Sequence, residues 1–190
     1  MPKIVRFHAT GDADVLRIED LPLAEPGEGE VRLKVEAIGL NRAEVMFRRG
    51  QYLETPKFPS RLGYEAAGTV DAVGPGVSDL QVGDRVSTIP SFSIGKYGVY
   101  GESAIVPAYA AVPYPDNLTP VEGAAIWMQY LTAFGALIEY GQTRAQDSRS
   151  SAPEARAVAS AWGNWAGATR QRRLRPMVFM ARAAAPIFPG

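Results

Sequence analysis

Short β-prone runs separated by glycine and proline fill the chain from Ile4 to about Ala108. Between residues 31 and 38, apolar side chains alternate with mostly charged ones, which is the period that gives a strand one buried and one wetter face. Further strands are expected at 66–73, 85–89, 102–106 and 110–112, and one short helix at 42–49, closed by Gly50. The pattern predicts a mainly β (α+β) fold, either an antiparallel sheet or a barrel.

A helical segment is expected to follow residue 118. Thr119 is a suitable N-cap, Pro120 suits the first helical position, and Glu122 completes a capping box. Apolar residues then recur with spacing that fits one broken helix or two consecutive helices ending at Gly141. Such a segment needs a partner surface that covers its apolar face.

The composition changes after Gln142. Residues 143–190 contain 12 Ala and 8 Arg but only 2 acidic residues, whereas residues 1–142 contain 12 Lys+Arg and 18 Asp+Glu. Because no sustained period of two or 3.6 runs through this part, a packed core is not expected there. The sequence therefore predicts three parts: a β domain at 1–118, a helical connection at 119–142 and a disordered or poorly packed tail at 143–190.

Few residues of this chain can serve as metal or sulfur ligands. It has no cysteine and one histidine, His8, which is expected to be an ordinary residue of the first strand. Disulfides and thiolate chemistry are excluded, and a catalytic zinc, which needs three protein ligands of Cys, His or carboxylate type, is not expected. No apolar run reaches about 18 residues and no signal peptide is evident, so a cytoplasmic protein without a membrane partner is expected.

Five motifs occur in a fixed order in the β-rich part. They are GLNRAE at 39–44, RRGQY at 48–52, GYEAAGTV at 63–70, VGPGV at 73–77 and VGDRV at 82–86. In this order and at these intervals they resemble the medium-chain dehydrogenase/reductase superfamily of alcohol dehydrogenase-like proteins, most closely its zinc-independent quinone oxidoreductase branch. The resemblance runs from about Lys3 to Gly141. It implies a GroES-like, partly open β-barrel with helices at its C-terminal end.

The resemblance also implies an activity. Zinc enzymes of this superfamily hold their catalytic metal with a Cys and a His at the places occupied here by Asn41 and Tyr64. A zinc-free member would instead pass a hydride directly from NADPH to a quinone or to a related enone or aldehyde. A nicotinamide oxidoreductase with a small carbonyl substrate is therefore the expected function.

Four residues match family positions around the nicotinamide and the substrate. By resemblance, Asn41 positions the reactants and contacts the cofactor, while Tyr52 supplies a hydrogen bond or a proton. Thr132 would approach the nicotinamide, and Tyr64 would shape the substrate pocket. Structural alternatives stay open: Asn41 caps a helix, Tyr52 and Tyr64 only pack, and the Thr132 hydroxyl bonds back to the preceding turn.

The cofactor domain of such an enzyme needs a glycine-rich turn at a helix N-terminus, where backbone amides receive the pyrophosphate. The chain contains no Gly-x-Gly-x-x-Gly, and the family's usual dimer contacts would lie largely in that domain. We therefore expect an incomplete and inactive form that lacks the Rossmann domain. A change of reading frame near Gln142 would explain the Ala/Arg-rich tail, although a genuine alternative terminus is also possible.

Two functions of other classes compete with this interpretation. The β domain could be a non-catalytic GroES-like interaction module or a remnant. The tail could contact nucleic acid through Arg170, Arg172, Arg173 and Arg175, with Trp162 and Trp165 stacking on bases. Nucleic acid is not the expected partner, since a solvated run of arginines is the more common case.

Overall fold

The computed structural model describes residues 1–136. The chain divides into two compact units, Met1–Trp127 and a second that begins at Met128, of which only residues 128–136 are described. The predicted domain boundary after residue 118 stays a prediction. The end of the helical connection at 137–142, the tail at 143–190, its proposed frame change and its nucleic-acid contact all lie outside the described residues.

Antiparallel strands form most of the first unit. The strands are β1 (Lys3–Phe7), β2 (Leu16–Asp20), β3 (Glu30–Gly39), β4 (Glu65–Val73), β5 (Arg85–Thr88), β6 (Ser103–Pro107) and β7 (Ala111–Pro113). β1 and β2 form a two-stranded sheet, and the other strands form a five-stranded sheet in the order β6-β3-β4-β5-β7. The expected mainly β fold is confirmed.

The helices of the described residues are short. They are α1 (Arg42–Arg48), α2 (Ile94–Tyr97), α3 (Pro120–Gly123) and α4 (Trp127–Phe134), with 3-10 turns at Ala13–Val15 and Ala108–Ala110. The predicted helix start at Thr119 is confirmed, because its hydroxyl accepts from the Glu122 backbone N–H at 3.3 Å and Glu122 reciprocates as the capping box requires.

Two elements escaped the sequence reasoning, and one assignment was wrong. β2 is a short strand on the surface, where its central Ile18 is 72% exposed, and it is positioned by pairing with β1. The four-residue α2 is too short to display a helical period and relies on a cap by Ser93. His8 does not belong to the first strand, which ends at Phe7; its Nε2 lies 2.5 Å from Glu19 Oε1 on β2.

β3 is the central strand of the larger sheet, pairing with β4 on one side and β6 on the other. Val31 and Leu33 are fully buried, as the alternating pattern predicts. Arg32 is the exception, since it is buried between them. Its guanidinium donates to Asp71 Oδ1 at 2.7 Å and, through Nη1, to Glu25 Oε1 at 3.0 Å. The buried charge is therefore paired with two carboxylates.

Thr88, at the end of β5, is hydrogen-bonded to the residue before β4 and to the second residue of β4. Its hydroxyl accepts from the backbone N–H of Ala66 at 2.8 Å and donates to the carbonyl of Tyr64 at 2.7 Å. Thr88 has no exposed surface. The hydroxyl thus satisfies two buried backbone groups that β5 does not pair directly, and it fixes the backbone at Tyr64.

We expect the isosteric change Thr88→Val to lower the free energy of unfolding by about 1–3 kcal/mol, because it leaves the Ala66 N–H and the Tyr64 carbonyl buried without partners. Urea denaturation of the full chain measures this difference. Thr69→Val is the matched control, since the Thr69 hydroxyl donates to Glu36 on the exposed face at 2.8 Å; its effect should stay within about 0.5 kcal/mol. Equal stabilities for the two variants would contradict the assignment.

Candidate functional site

Glu44 connects the first helix to the entry of β4. Asn41 has extended backbone angles (φ −126°, ψ 157°) and caps α1, and its backbone N–H donates to Glu44 Oε2 at 2.8 Å. The other carboxylate oxygen, Oε1, accepts from the backbone N–H of Tyr64 at 3.1 Å. Glu44 is only 3% exposed. One buried carboxylate therefore holds the backbones of two predicted site residues that are 23 positions apart in sequence.

The charge of Glu44 is costly in this position. Burial raises the pKa of its carboxyl above the ordinary value, and the hydrogen bonds from the Tyr64 and Asn41 backbone N–H groups offset part of that effect. The net direction shows that desolvation outweighs the two bonds. Glu44 is thus a structural carboxylate whose protonation state is coupled to the site geometry.

The Asn41 side chain is oriented by a second buried carboxylate. Its Nδ2 donates to Glu65 Oε2 at 2.8 Å, and Glu65 is 2% exposed. The amide therefore presents its NH₂ group to Glu65, whose carboxyl oxygen accepts. One of the two N–H donors of Asn41 is therefore used within the protein, and donation to a ligand falls to the other.

Tyr64 lies in an aromatic cluster. Its ring meets that of Tyr52 edge-on, with centroids 6.4 Å apart and an interplanar angle of 63°. On another side it contacts Phe92 at a centroid distance of 5.7 Å. Burial, and next the neighbouring Tyr52 hydroxyl, raise the pKa of the Tyr64 phenol well above its ordinary value. Tyr64 is consequently a neutral phenol throughout the physiological range.

Tyr52 stands in the turn that follows α1. Gly50 has φ +69°, a conformation that glycine adopts without strain, and its N–H donates to Phe47 at 2.9 Å. Two residues beyond Tyr52, Glu54 Oε1 accepts from Ser93 Oγ at 2.6 Å and from the Gly95 N–H at 3.2 Å. The Tyr52 loop is thus tied to α1 at one end and to α2 at the other, while the Tyr52 ring is half-buried.

The segment that leads into Tyr64 depends on Gly63. Its φ is +106°, and a Cβ placed there would lie 2.2 Å from Cδ1 of Tyr100. Tyr100 is itself fixed, because its hydroxyl donates to the carbonyl of Gly39 at 3.0 Å. A side chain at position 63 would therefore displace either Tyr64 or the end of β3.

The structure brings together three of the four predicted site residues. Asn41, Tyr52 and Tyr64 are linked through Glu44 and the aromatic contact, and we call these three residues the Asn41 cluster. Thr132 belongs to the second unit, where its hydroxyl donates to the Met128 carbonyl one turn earlier at 2.6 Å. The alternative back-bonding role of Thr132 is thus observed, and its contact with a cofactor stays a prediction.

Sequence reasoning missed the parts played by Glu44 and Glu65. Glu44 had a recognisable signal, because an Asn followed three residues later by a Glu at a helix start is a capping-box pattern. Glu65 had none, since its contact with Asn41 joins residues 24 positions apart. The two carboxylates orient residues of the Asn41 cluster through hydrogen bonds, and they are not themselves members of the cluster.

The donor set does not fit zinc. Asn41 and Tyr64 offer an amide and a phenol where a zinc enzyme needs a thiolate and an imidazole. Within residues 1–136, no group of three His, Cys, Asp or Glu side chains could hold a metal ion.

Across the same residues, no helix is long and apolar enough to cross a membrane.

The raised pKa of Glu44 predicts a pH dependence of stability. The folded chain binds this proton more tightly than the unfolded chain. The stabilisation that Glu44 contributes when protonated is therefore lost as pH rises from about 4.3, the ordinary pKa of a glutamate, through the folded pKa. Glu44→Gln removes that loss. We expect the stability of wild type minus that of Glu44→Gln to fall as pH rises above about 4.3, measured by urea denaturation.

Glu122→Gln provides a control of opposite sign. The N–H and then the hydroxyl of Thr119 lower the pKa of the exposed Glu122 carboxylate. Its contribution is therefore present above the unfolded pKa and lost as pH falls through the lower folded value. Parallel pH profiles for the two variants would contradict the assignment of Glu44.

Comparison with known proteins shows which family and which proteins this domain is similar to. Residues 27–116 match the alcohol dehydrogenase GroES-like domain family. The chain is 39% identical over 132 residues to a quinone oxidoreductase of Pseudomonas aeruginosa, covering 70% of this chain and 39% of that protein. It is 38% identical over 136 residues to the synaptic vesicle membrane protein VAT-1 homolog of Rattus norvegicus, covering 70% of this chain and 32% of that protein.

The structural comparison agrees with the sequence comparison. The crystal structure of Escherichia coli quinone oxidoreductase complexed with NADPH superposes with a TM-score of 0.63 at 31% identity, covering 71% of this chain and 40% of that one. The chain thus spans about a third to two fifths of the length of these proteins. The expected GroES-like β fold is confirmed, and residues 27–116 belong to the alcohol dehydrogenase GroES-like domain family, among relatives that are quinone oxidoreductases and VAT-1 proteins of the medium-chain dehydrogenase/reductase superfamily.

Proposed function

We propose that the first unit is the substrate-side domain of an NADPH-dependent oxidoreductase that reduces a quinone, or a related enone or aldehyde, without zinc. The observation that carries this proposal is the Asn41 cluster, in which an amide and two phenols converge in a GroES-like domain. All three groups are neutral and can donate hydrogen bonds. They suit a neutral carbonyl acceptor whose oxygen becomes negative during reduction.

The chain's own residues would act on the substrate carbonyl. NADPH, when bound, supplies the hydride, and one further proton completes the reduction of a quinone to a hydroquinone. The half-exposed Tyr52 phenol would hydrogen-bond the carbonyl oxygen, and Tyr64 packs edge-on against the Tyr52 ring. Asn41 would use its second N–H, because Glu65 takes the first.

The whole-enzyme properties are proposals of the same kind. The chain covers less than half of each of these relatives, so NADPH use, the quinone substrate, a dimeric state and a cytoplasmic location remain predictions. Asn41 and Thr132 are the residues proposed to approach the nicotinamide. Because the 190 residues contain no Gly-x-Gly-x-x-Gly, we propose that tight dinucleotide binding requires a complete form or a partner.

The substrate half can be tested on the full chain without a cofactor. We expect duroquinone, a tetramethylated quinone that resists attack by lysine, to give saturable NMR shifts centred on Asn41, Tyr52 and Tyr64. Tyr52→Phe should weaken binding by about tenfold through the loss of one hydrogen bond. Tyr109→Phe is the matched control, because Tyr109 is 66% exposed and donates to the Ser91 carbonyl. Equal affinity for wild type and Tyr52→Phe would refute the role of Tyr52.

The cofactor half is tested separately by titrating the chain into NADPH and following the cofactor fluorescence, with a complete quinone oxidoreductase as positive control. We expect no saturable change at micromolar concentrations, for lack of a glycine-rich phosphate site. Saturable binding would mean that the chain, alone or as an oligomer, forms a phosphate-binding site that its sequence motifs do not predict.

A further inference from the structure

The Tyr52 loop, residues 51–57, is attached to the fold mainly by side chains. The Gln51 backbone N–H donates to the Met46 carbonyl at 2.8 Å, but in the part of the chain that the structure describes, no later residue of the loop makes a backbone-to-backbone hydrogen bond. Leu53 cannot hold the loop by packing, because it is 86% exposed. The position of the Tyr52 ring is therefore not set by secondary structure.

Glu54 supplies hydrogen bonds between this loop and the turn at 92–95. Its Oε1 accepts from Ser93 Oγ at 2.6 Å and from the Gly95 backbone N–H at 3.2 Å. A Cβ at position 95 would lie 2.7 Å from the same oxygen, so the contact depends on the absence of a side chain there. The Ser93 hydroxyl accepts from the Lys96 N–H at 3.2 Å, which leaves its one proton for Glu54. The chain is thus fixed two residues beyond Tyr52.

The same turn contacts the second phenol of the Asn41 cluster. Phe92, which precedes Ser93 and is buried, packs against the Tyr64 ring at a centroid distance of 5.7 Å. The Tyr64 ring in turn meets that of Tyr52 at 6.4 Å. The turn therefore contacts Tyr64 through Phe92 and holds the Tyr52 loop through Glu54, so the two phenols depend on one support.

Electrostatics places the Glu54 carboxyl near the phenols as well. Burial is the main cause of the raised pKa of Tyr64 and the neighbouring Tyr52 hydroxyl is the next, but the negative charge of Glu54 adds to the effect. A charge shifts a pKa in this way only from nearby. The carboxyl of Glu54 consequently lies close both to its two donors and to the pair of rings.

We propose that Glu54 is a positioning residue of the candidate site, which holds the Tyr52 phenol against Tyr64 through its hydrogen bonds to the 92–95 turn. A phenol held in place loses less conformational freedom when it binds a ligand. The benefit to a carbonyl substrate rests on the proposed function, whereas the effect on the ring contact does not.

The ring contact is tested first, on the full chain without a ligand, by NMR measurement of nuclear Overhauser effects between the Tyr52 and Tyr64 ring protons. We expect Glu54→Ala to lose these effects, because nothing else bonds the loop to Ser93 and Gly95. Glu54→Gln should retain them, since its amide oxygen can accept from the same two donors.

The consequence for the substrate is tested with duroquinone. Glu54→Ala should weaken its binding by about threefold, less than the loss expected for Tyr52→Phe, because the phenol is still present. The double variant Tyr52→Phe/Glu54→Ala should bind no more weakly than Tyr52→Phe alone, since a residue that acts through Tyr52 has no effect once the hydroxyl is removed.

Glu36→Ala is the matched control, because the Glu36 carboxylate also accepts from a hydroxyl, that of Thr69 at 2.8 Å on the exposed face. It should keep the ring contact and the affinity of wild type. Ring contacts that survive Glu54→Ala, that are lost in Glu54→Gln, or that are lost equally in Glu36→Ala would overturn the proposal. Additive losses in the double variant would show that Glu54 does not act through Tyr52. If wild type binds no duroquinone, the proposed function fails, and the ring contact alone decides the role of Glu54.

Discussion

The two hydrogen bonds accepted by the buried carboxylate of Glu44 are the constraint on which the candidate site depends. They join the N-cap residue of α1 to the residue that precedes β4, at Asn41 N and Tyr64 N. Burying this carboxylate raises its pKa, so the fold accepts a cost for the bridge. Glu44, which takes part in the cap of α1, also fixes the backbones of Asn41 and Tyr64. The stability of the domain and the geometry of the Asn41 cluster therefore depend on the same carboxylate.

The electrostatic character of the cluster follows from the carboxylates behind it. Glu44 and Glu65 place two buried carboxyl groups on the inner side of Asn41, and Tyr64 remains a neutral phenol because of burial. Such surroundings disfavour an anionic ligand and favour a neutral molecule that accepts hydrogen bonds.

The sequence predicted those features that are governed by local pattern. Period-two alternation identified β3, the Asn-to-Gly50 segment identified α1, and the ordered motifs identified Asn41, Tyr52 and Tyr64. Features that depend on contacts distant in sequence escaped it: the burial of Arg32 requires Asp71, 39 residues away, and the orientation of Asn41 requires Glu65.

The contacts that hold the Asn41 cluster also bear on how the activity can be divided. Glu44, Glu65, Thr88 and Phe92 all lie within residues 1–127, the first compact unit. Because these hydrogen bonds and ring contacts are internal to that unit, the arrangement of its amide and phenols does not require a bound dinucleotide. Under the proposed function, recognition of a carbonyl substrate by these groups is therefore separable from recognition of NADPH.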